Sequence, residues 1–293
     1  MKFEYLEPST IEEAISLLAK YNGKAKVIAG GTDLMVQMRK QQRRPQYVIN
    51  IGFIPGLDYI NYVENEELRI GSLTTIRALE KSTELKQRYP VIPQAAGQLA
   101  SMAIRNIATL GGNLCNATPS ADMAPALIGL SAAVKIVGPA GERMVLLEDF
   151  FTGPGNTILK TGELLMEIKV PLLPPRTGAI YLKHAIRGST DLAIVGVAAV
   201  ITLEPQSEAC RDVKVVLGAV APTPMRARNA EEILKNKVIT QSDIEEAGRV
   251  ASAECQPISD VRSSAEYRRE MVQVFTKRAI KEAVEAAKNL RAS

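Results

Sequence analysis

The chain has 293 residues, of which 46% are hydrophobic and 23% charged, and this composition is typical of a globular protein with about two domains. The net charge is only +4 at pH 7 and both signs are scattered along the chain, which argues against a nucleic-acid-binding protein. No apolar run approaches the roughly 20 residues of a membrane span, and the acidic N-terminal stretch lacks the apolar core of a signal peptide.

Cysteine and histidine usage excludes several kinds of site. Cys115, Cys210 and Cys255 are far apart and form no CxxC pair. An odd number of separated thiols is typical of reduced cysteines in a cytoplasmic protein, and it argues against an iron–sulfur cluster held by this chain. His184 is the only histidine, which excludes a metal site built from imidazoles. We therefore predict a cytoplasmic protein with no metal site and no catalytic side chain of its own.

The first part of the chain predicts a small βαβ-like lobe followed by a larger lobe. Thr10 and Glu13 form a capping-box pattern at the start of a helix predicted over residues 9–20. A strand over 24–29, a Gly30-Gly31 turn, a helix over 34–40 and a strand over 47–51 complete the first lobe. In the second lobe we predict two strands over 57–71 joined by a turn at Asn65, helices over 75–80, 91–99 and 123–130, a hairpin over 133–147, and a strand over 164–170.

A proline-rich segment marks the predicted domain boundary, because Pro171, Pro174 and Pro175 precede Gly178. We predict one domain over 1–175, with lobes of about 1–55 and 56–175, and a second domain over 176–293. The second domain is predicted to have antiparallel strands over 179–185, 196–203 and 212–218, then helices over 230–234, 242–252 and 264–289. Strands followed by helices indicate an α+β fold.

Two glycine pairs suggest a ligand site. VIAGGTDL at 27–34 reads as a strand, a Gly30-Gly31 turn and a helix start with Thr32 or Asp33 as the cap, a geometry that directs free backbone N–H groups at a phosphate. IRNIATLGGNLCNATPSADMAP at 104–125 has no clean helical or strand period, and we predict a loop around Gly111-Gly112. Each pair alone is equally compatible with an ordinary tight turn. Together they suggest one ligand held from two sides.

These motifs, with FFTGPGNTILKTGELL at 150–165, YLKHAIRGSTDLAIVGVAA at 181–199 and DVRSSAEYRREMV at 260–272, resemble the FAD-binding medium subunit of the molybdenum hydroxylases. That family includes xanthine dehydrogenase and carbon monoxide dehydrogenase. The resemblance covers nearly the whole chain. It implies a two-lobed FAD-binding domain of the vanillyl-alcohol-oxidase or p-cresol-methylhydroxylase type, followed by a small α+β domain.

The resemblance also implies a role and partners. The chain would pass electrons through non-covalent FAD from partner [2Fe–2S] clusters to an acceptor such as NAD, oxygen or quinone. A large subunit would carry the molybdenum cofactor and a small subunit the clusters, in a dimer of heterotrimers. No histidine follows the first glycine turn, where a covalent flavin link would be expected.

Individual site residues follow from the same resemblance. The first glycine turn would bind the FAD diphosphate, and Thr109, Gly112 and Asn113 with neighbouring Gly111 would bind the diphosphate and ribityl region. Asp122 would bond a flavin-side group, while Leu165, Lys183 and Leu99 would lie near the isoalloxazine. The residues of the first turn are Ile28, Ala29, Gly30, Gly31, Thr32, Asp33 and Leu34.

Two other interpretations stay open. The chain could be a self-contained FAD-dependent oxidoreductase of the same fold, which would need its own acid–base residue. It could also be a scaffold subunit that has lost its flavin, although both glycine pairs are intact. For Asp122 a helix cap is a competing role, and for Lys183 an exposed position with its charge in solvent.

Overall fold

The computed structural model describes residues 2–62 and 67–290. Its first layer is a parallel sheet of β1 Glu4–Leu6, β2 Ala25–Ile28 and β3 Tyr47–Asn50, in the order β1-β3-β2. The helices α1 Ile11–Lys20 and α2 Leu34–Arg39 connect these strands. The predicted elements of the first lobe are confirmed. The strand β1 was not predicted, because three mostly exposed residues are too few to show an alternating pattern of apolar and polar side chains.

The second layer is an antiparallel sheet in the order β4-β5-β10-β6-β7, with a separate β8-β9 pair. The predicted 133–147 hairpin and 164–170 strand are confirmed, whereas the predicted turn at Asn65 lies outside the described residues. The strands are β4 Ile60–Tyr62, β5 Glu67–Gly71, β6 Ala133–Gly138, β7 Gly141–Leu146, β8 Phe151–Gly153, β9 Asn156–Thr157 and β10 Leu164–Pro171.

Six short helices lie between β5 and β6. They are α3 Ile76–Lys81, α4 Thr83–Arg88, α5 Val91–Gly97, α6 Met102–Arg105, α7 Leu110–Asn116 and α8 Met123–Gly129. The prediction of an irregular loop over 104–125 is wrong, because α7 contains both glycines of the second pair. Their helical backbone follows from tertiary contacts and from the cap at Thr109, which outweigh the low helix propensity of glycine and asparagine.

The third layer is the antiparallel sheet β11-β12-β13-β14, with long helices on one face. All nine residues of β12 are buried, because one face packs on α8 and the other on α11. The predicted strands and helices of this region are confirmed, as is the α+β class. The elements are β11 Thr177–His184, β12 Val195–Leu203, β13 Cys210–Gly218, β14 Met225–Arg226, α9 Arg228–Leu234, α10 Gln241–Glu254 and α11 Ala265–Asn289.

Among the described residues, no helix combines the length and the apolar character that crossing a bilayer requires.

Candidate functional site: a cleft between the glycine pairs

A cleft of about 520 Å³ runs between the first glycine turn, α7, β10 and the segment that precedes β12. This volume lies within the range of roughly 300–1,000 Å³ that is usual for small-molecule sites. The structure brings all but one of the predicted site residues to its wall. Those residues are Ile28, Ala29, Gly30, Gly31, Thr32, Asp33, Leu34, Leu99, Thr109, Gly111, Gly112, Asn113, Asp122 and Leu165.

The two glycine-rich segments touch at Gly30. A Cβ on Gly30 would lie 1.9 Å from the carbonyl oxygen of Ile107, so only glycine fits between the first turn and the segment leading to α7. Gly31 has a φ of +70°, a conformation that side chains rarely adopt. The N–H groups of Gly30, Gly31, Thr32 and Asp33 donate to no other backbone group of the described chain. They are therefore available for an anionic ligand.

The second glycine pair also lines the cleft, but its amides have partners within the chain. Gly111 donates its N–H to the Ser72 carbonyl oxygen at 2.8 Å, and Gly112 donates to Thr109 Oγ1 at 3.1 Å. These two N–H groups already have acceptors within the chain, in contrast to those of the first glycine turn. A Cβ on Gly111 would lie 2.7 Å from the Ser72 Cβ, which explains glycine at this position by packing.

Two buried polar atoms beside α7 lack a partner. Neither Asn113 Oδ1 nor Ser72 Oγ makes a hydrogen bond to any residue that the structure describes. Both residues contribute to the cleft wall. An unsatisfied buried polar atom costs roughly 1–3 kcal/mol, so these two atoms point to a ligand or water that satisfies them.

Asp122 lines the cleft and forms a buried ion pair with Lys183. Its Oδ2 accepts from Lys183 Nζ at 2.9 Å and its Oδ1 from the Tyr181 hydroxyl at 2.8 Å. Burial raises the pKa of Asp122, while the Lys183 charge and both hydrogen bonds oppose that shift. Asp122 occupies the cap position of α8, but its side chain makes no capping hydrogen bond.

Lys183 stands behind Asp122 and is the predicted site residue that does not line the cleft. Its side chain is only 2% exposed, so the alternative of a solvent-exposed lysine is wrong. Its Nζ also donates to the Gln98 carbonyl oxygen at 2.8 Å.

The wall near Asp122 is apolar and aliphatic. Leu99, Ile104 and Leu165 contribute to it, and Leu99 and Leu165 are 8% and 4% exposed. No aromatic side chain is among the described residues that line the cleft. A flat ring system would therefore pack on leucine and isoleucine.

Several lining residues were missed from the sequence. Gln37 Nε2 donates a hydrogen bond to Asn116 Oδ1 across the cleft at 3.2 Å, and Asn116 Nδ2 donates to Thr118 Oγ1 at 2.8 Å. Lys26 and Arg43 supply positive charge, and burial together with Arg43 lowers the pKa of Lys26. Proximity to the glycine motifs could have indicated Gln37 and Asn116. Further lining residues that were missed include Ser72, Ser120, Glu163 and Leu192.

The cleft contains no poised nucleophile among the described residues. Cys115 lines it, but burial raises the pKa of its thiol to about 12, so the reactive thiolate does not form near neutral pH. His184 is not a lining residue, and its ring bonds the Tyr267 hydroxyl at 3.1 Å.

Both parts of the chain match known protein families. Residues 1–173 match the model of the FAD binding domain in molybdopterin dehydrogenase, and residues 180–283 match the CO dehydrogenase flavoprotein C-terminal domain. The chain belongs to this family. It is therefore an FAD-binding protein, and the predicted family and fold are confirmed.

Relatives align along nearly the full chain. The xanthine dehydrogenase FAD-binding subunit of Escherichia coli O157:H7 is 34% identical, over 97% of this chain and 96% of its own. The carbon monoxide dehydrogenase medium chain of Hydrogenophaga pseudoflava is 32% identical, over 95% and 96%.

Solved structures agree with the sequence relatives. The reconstituted CO dehydrogenase from Oligotropha carboxidovorans superposes with a TM-score of 0.93, at 32% identity, over 98% of this chain and 99% of that chain. Quinoline 2-oxidoreductase from Pseudomonas putida 86 gives a TM-score of 0.90 at 28% identity, over 98% of each chain. The free amides, the unsatisfied polar atoms and the aliphatic wall all fit FAD.

Proposed function

We propose that this chain is the electron-transferring FAD subunit of a molybdenum hydroxylase complex, with the cofactor bound in the cleft. The observation that carries the proposal is the pairing, within one cleft, of free backbone amides at Gly30–Asp33 with an aliphatic wall at Leu99, Ile104 and Leu165. An anion and a flat apolar ring suit these two regions respectively. FAD carries both groups.

Each part of the cleft would have its own task. The amides of the first glycine turn would hold the diphosphate, and Asn113 would satisfy its buried Oδ1 on a cofactor hydroxyl. The aliphatic side chains would exclude water from the ring, and the Asp122–Lys183 pair would place fixed charges near it. Bound FAD supplies a centre that accepts electrons from iron–sulfur clusters and passes them to a second acceptor.

The alternative of a self-contained FAD-dependent oxidoreductase has less support, because three of the four carboxylates that line the cleft are held in ion pairs, and the fourth, Asp33, accepts hydrogen bonds from Thr32 and Asn116. Asp122 pairs with Lys183, Glu163 with Arg143, and Asp191 with Arg187. Ion pairing favours the ionised carboxylate and weakens it as a proton acceptor, since protonation would break the pair. A substrate base is better supplied by another chain.

The partners belong to the same proposal. A molybdenum-cofactor large subunit and a [2Fe–2S] small subunit would complete the complex, as a dimer of heterotrimers. The acceptor would be NAD, oxygen or quinone. Three free cysteines are compatible with a reducing cytoplasm. The flavin would be bound without a covalent link, because no histidine lines the cleft among the described residues.

The test uses the isolated chain and its native complex side by side. The isolated chain should bind one FAD that heat or acid releases intact, and dithionite should bleach its visible absorbance. It should not hydroxylate heterocycles or aldehydes, whereas the complex should. Hydroxylation by the isolated chain, in a preparation shown to lack molybdenum, would refute the subunit proposal and favour the self-contained enzyme.

A further inference from the structure

Tyr181 contacts the Asp122 carboxylate, which lines the cleft. It sits on β11, is 1% exposed, and is not one of the lining residues. Its hydroxyl donates to Asp122 Oδ1 at 2.8 Å, while Lys183 holds Oδ2. Each carboxylate oxygen therefore has a separate donor, and rotation of the Asp122 side chain would break both hydrogen bonds.

The surroundings of Tyr181 hold its hydroxyl in place. A Cβ on Gly196, its neighbour on β12, would lie 2.7 Å from the Tyr181 hydroxyl oxygen, so glycine there leaves room for the phenol. The Tyr181 backbone N–H donates to Gln94 Oε1 of α5 at 2.9 Å. Burial raises the pKa of the phenol well above its ordinary value, which keeps the hydroxyl protonated as a donor.

Asp122 retains capacity for a ligand. A carboxylate accepts about four hydrogen bonds, and two of these positions are occupied by Tyr181 and Lys183. Because Asp122 lines the cleft, the remaining lone pairs are available on its cleft side. Their direction depends on the two donors behind the carboxylate.

We propose that Tyr181 is a positioning residue for the cofactor site, which it serves by fixing the Asp122 carboxylate from behind. The inference rests on the proposed binding of FAD in this cleft. Tyr181 itself touches no cofactor. Its removal should loosen the carboxylate and weaken the cofactor complex, although the cleft wall stays intact.

The first experiment compares Tyr181→Phe with Tyr89→Phe in apoprotein titrated with FAD by fluorescence. Tyr89 is a matched control, because it is 2% exposed, belongs to the same core, and donates its hydroxyl to the Pro171 carbonyl oxygen at 3.2 Å. We expect Tyr181→Phe to raise the FAD Kd about tenfold, in line with the loss of a hydrogen bond to a charged group. Tyr89→Phe should leave Kd within twofold of wild type.

The second experiment is a double-mutant cycle with Asp122→Asn. If Tyr181 acts through Asp122, Tyr181→Phe adds no further loss of FAD affinity once Asp122 is replaced. The midpoint potential of the bound flavin, measured by dye equilibration, should likewise shift in Tyr181→Phe and not in Tyr89→Phe. Should Asp122→Asn fail to fold, the comparison between Tyr181→Phe and Tyr89→Phe decides.

Equal Kd values and potentials for Tyr181→Phe and wild type would overturn the inference, as would equal losses in the two tyrosine variants. A wild-type chain that binds no FAD would instead refute the proposed function, so the two failures are distinguishable.

Discussion

Gly31 has a left-handed backbone conformation and also lines the cleft. Its φ of +70° resembles the +72° of Gly23, which lies in a turn outside the cleft with open space around its Cβ position. Replacement by alanine at either site forces a left-handed residue, at a cost of roughly 1 kcal/mol. Only Gly31 borders the amides that we assign to the diphosphate.

We therefore expect Gly31→Ala and Gly23→Ala to lose similar stability in urea unfolding of the apoprotein, and only Gly31→Ala to lose FAD affinity. An isothermal FAD titration of both variants checks this. Unchanged FAD affinity in Gly31→Ala would place the diphosphate elsewhere.

Thr109 caps α7 through a single hydrogen bond from Gly112 to its hydroxyl. Thr109→Ala should lower the free energy of unfolding by about 1 kcal/mol, the usual cost of a lost cap. Thr109→Ser keeps the oxygen and should be close to wild type. Chemical denaturation of the three proteins without FAD measures the difference, and equal losses in both variants would show that the methyl group, not the cap, matters.

At the scale of elements, an ion pair spans the segment between β11 and β12. Arg187 contacts Asp191 through Nε and Nη2 at 3.1 and 2.9 Å, and Thr190, Asp191 and Leu192 line the cleft. Since Arg187 itself is 79% exposed and outside the wall, its removal should free the segment without emptying the cleft.

Arg187→Ala should accordingly keep its FAD and be reoxidised faster by oxygen after dithionite reduction. Arg249→Ala is the control, because it removes an exposed ion pair with Glu246 on α10, far along the chain from the cleft residues. Identical stopped-flow traces for wild type and both variants would show that this segment does not affect flavin reoxidation.

A cluster of charged side chains lies at the N-terminal end of α11. Asp260 accepts from Arg268 and Arg262, and together with backbone N–H groups these residues lower the pKa of Asp260 to about 2. A depressed folded pKa contributes stability above the unfolded value near 3.8, and the contribution is lost as pH falls through about 2.

The stability difference between wild type and Asp260→Asn should thus be largest near pH 7 and shrink below pH 4. Urea unfolding at pH 7, 5, 4 and 3 measures this difference. A difference that stays constant with pH would show that the charge of Asp260 does not stabilise the protein.

Helices and strands could be predicted where their apolar residues form a recognisable pattern in the sequence. Amphipathic α1 and the apolar run of β12 could be read from sequence, since one has a helical period and the other is buried on both faces. The period of α7 is hidden, because its LGGNLCN sequence owes its conformation to Thr109 and to packing on Ser72. Tertiary contacts of that kind leave no local pattern.

On the scale of the whole molecule, β11 joins the C-terminal sheet to the cleft. Its Tyr181 and Lys183 reach Asp122 on the helical layer, and one face of the sheet packs in the same core as α8. The predicted domain boundary after residue 175 stays a prediction. The sequence motifs indicated residues that line the cleft but not Tyr181. Its role depends on a hydrogen bond to Asp122, which is 59 residues away in sequence.

We propose that this chain delivers electrons from a molybdenum hydroxylase complex through FAD. The most direct measurement is purification of the native complex by a tag on this chain, followed by analysis of FAD, molybdenum, iron and acid-labile sulfide. We expect all four in fixed ratios, with one FAD per chain and no metal left on the chain once its partners are removed. A stable preparation that holds FAD but no molybdenum or iron, and still turns over a substrate, would contradict it.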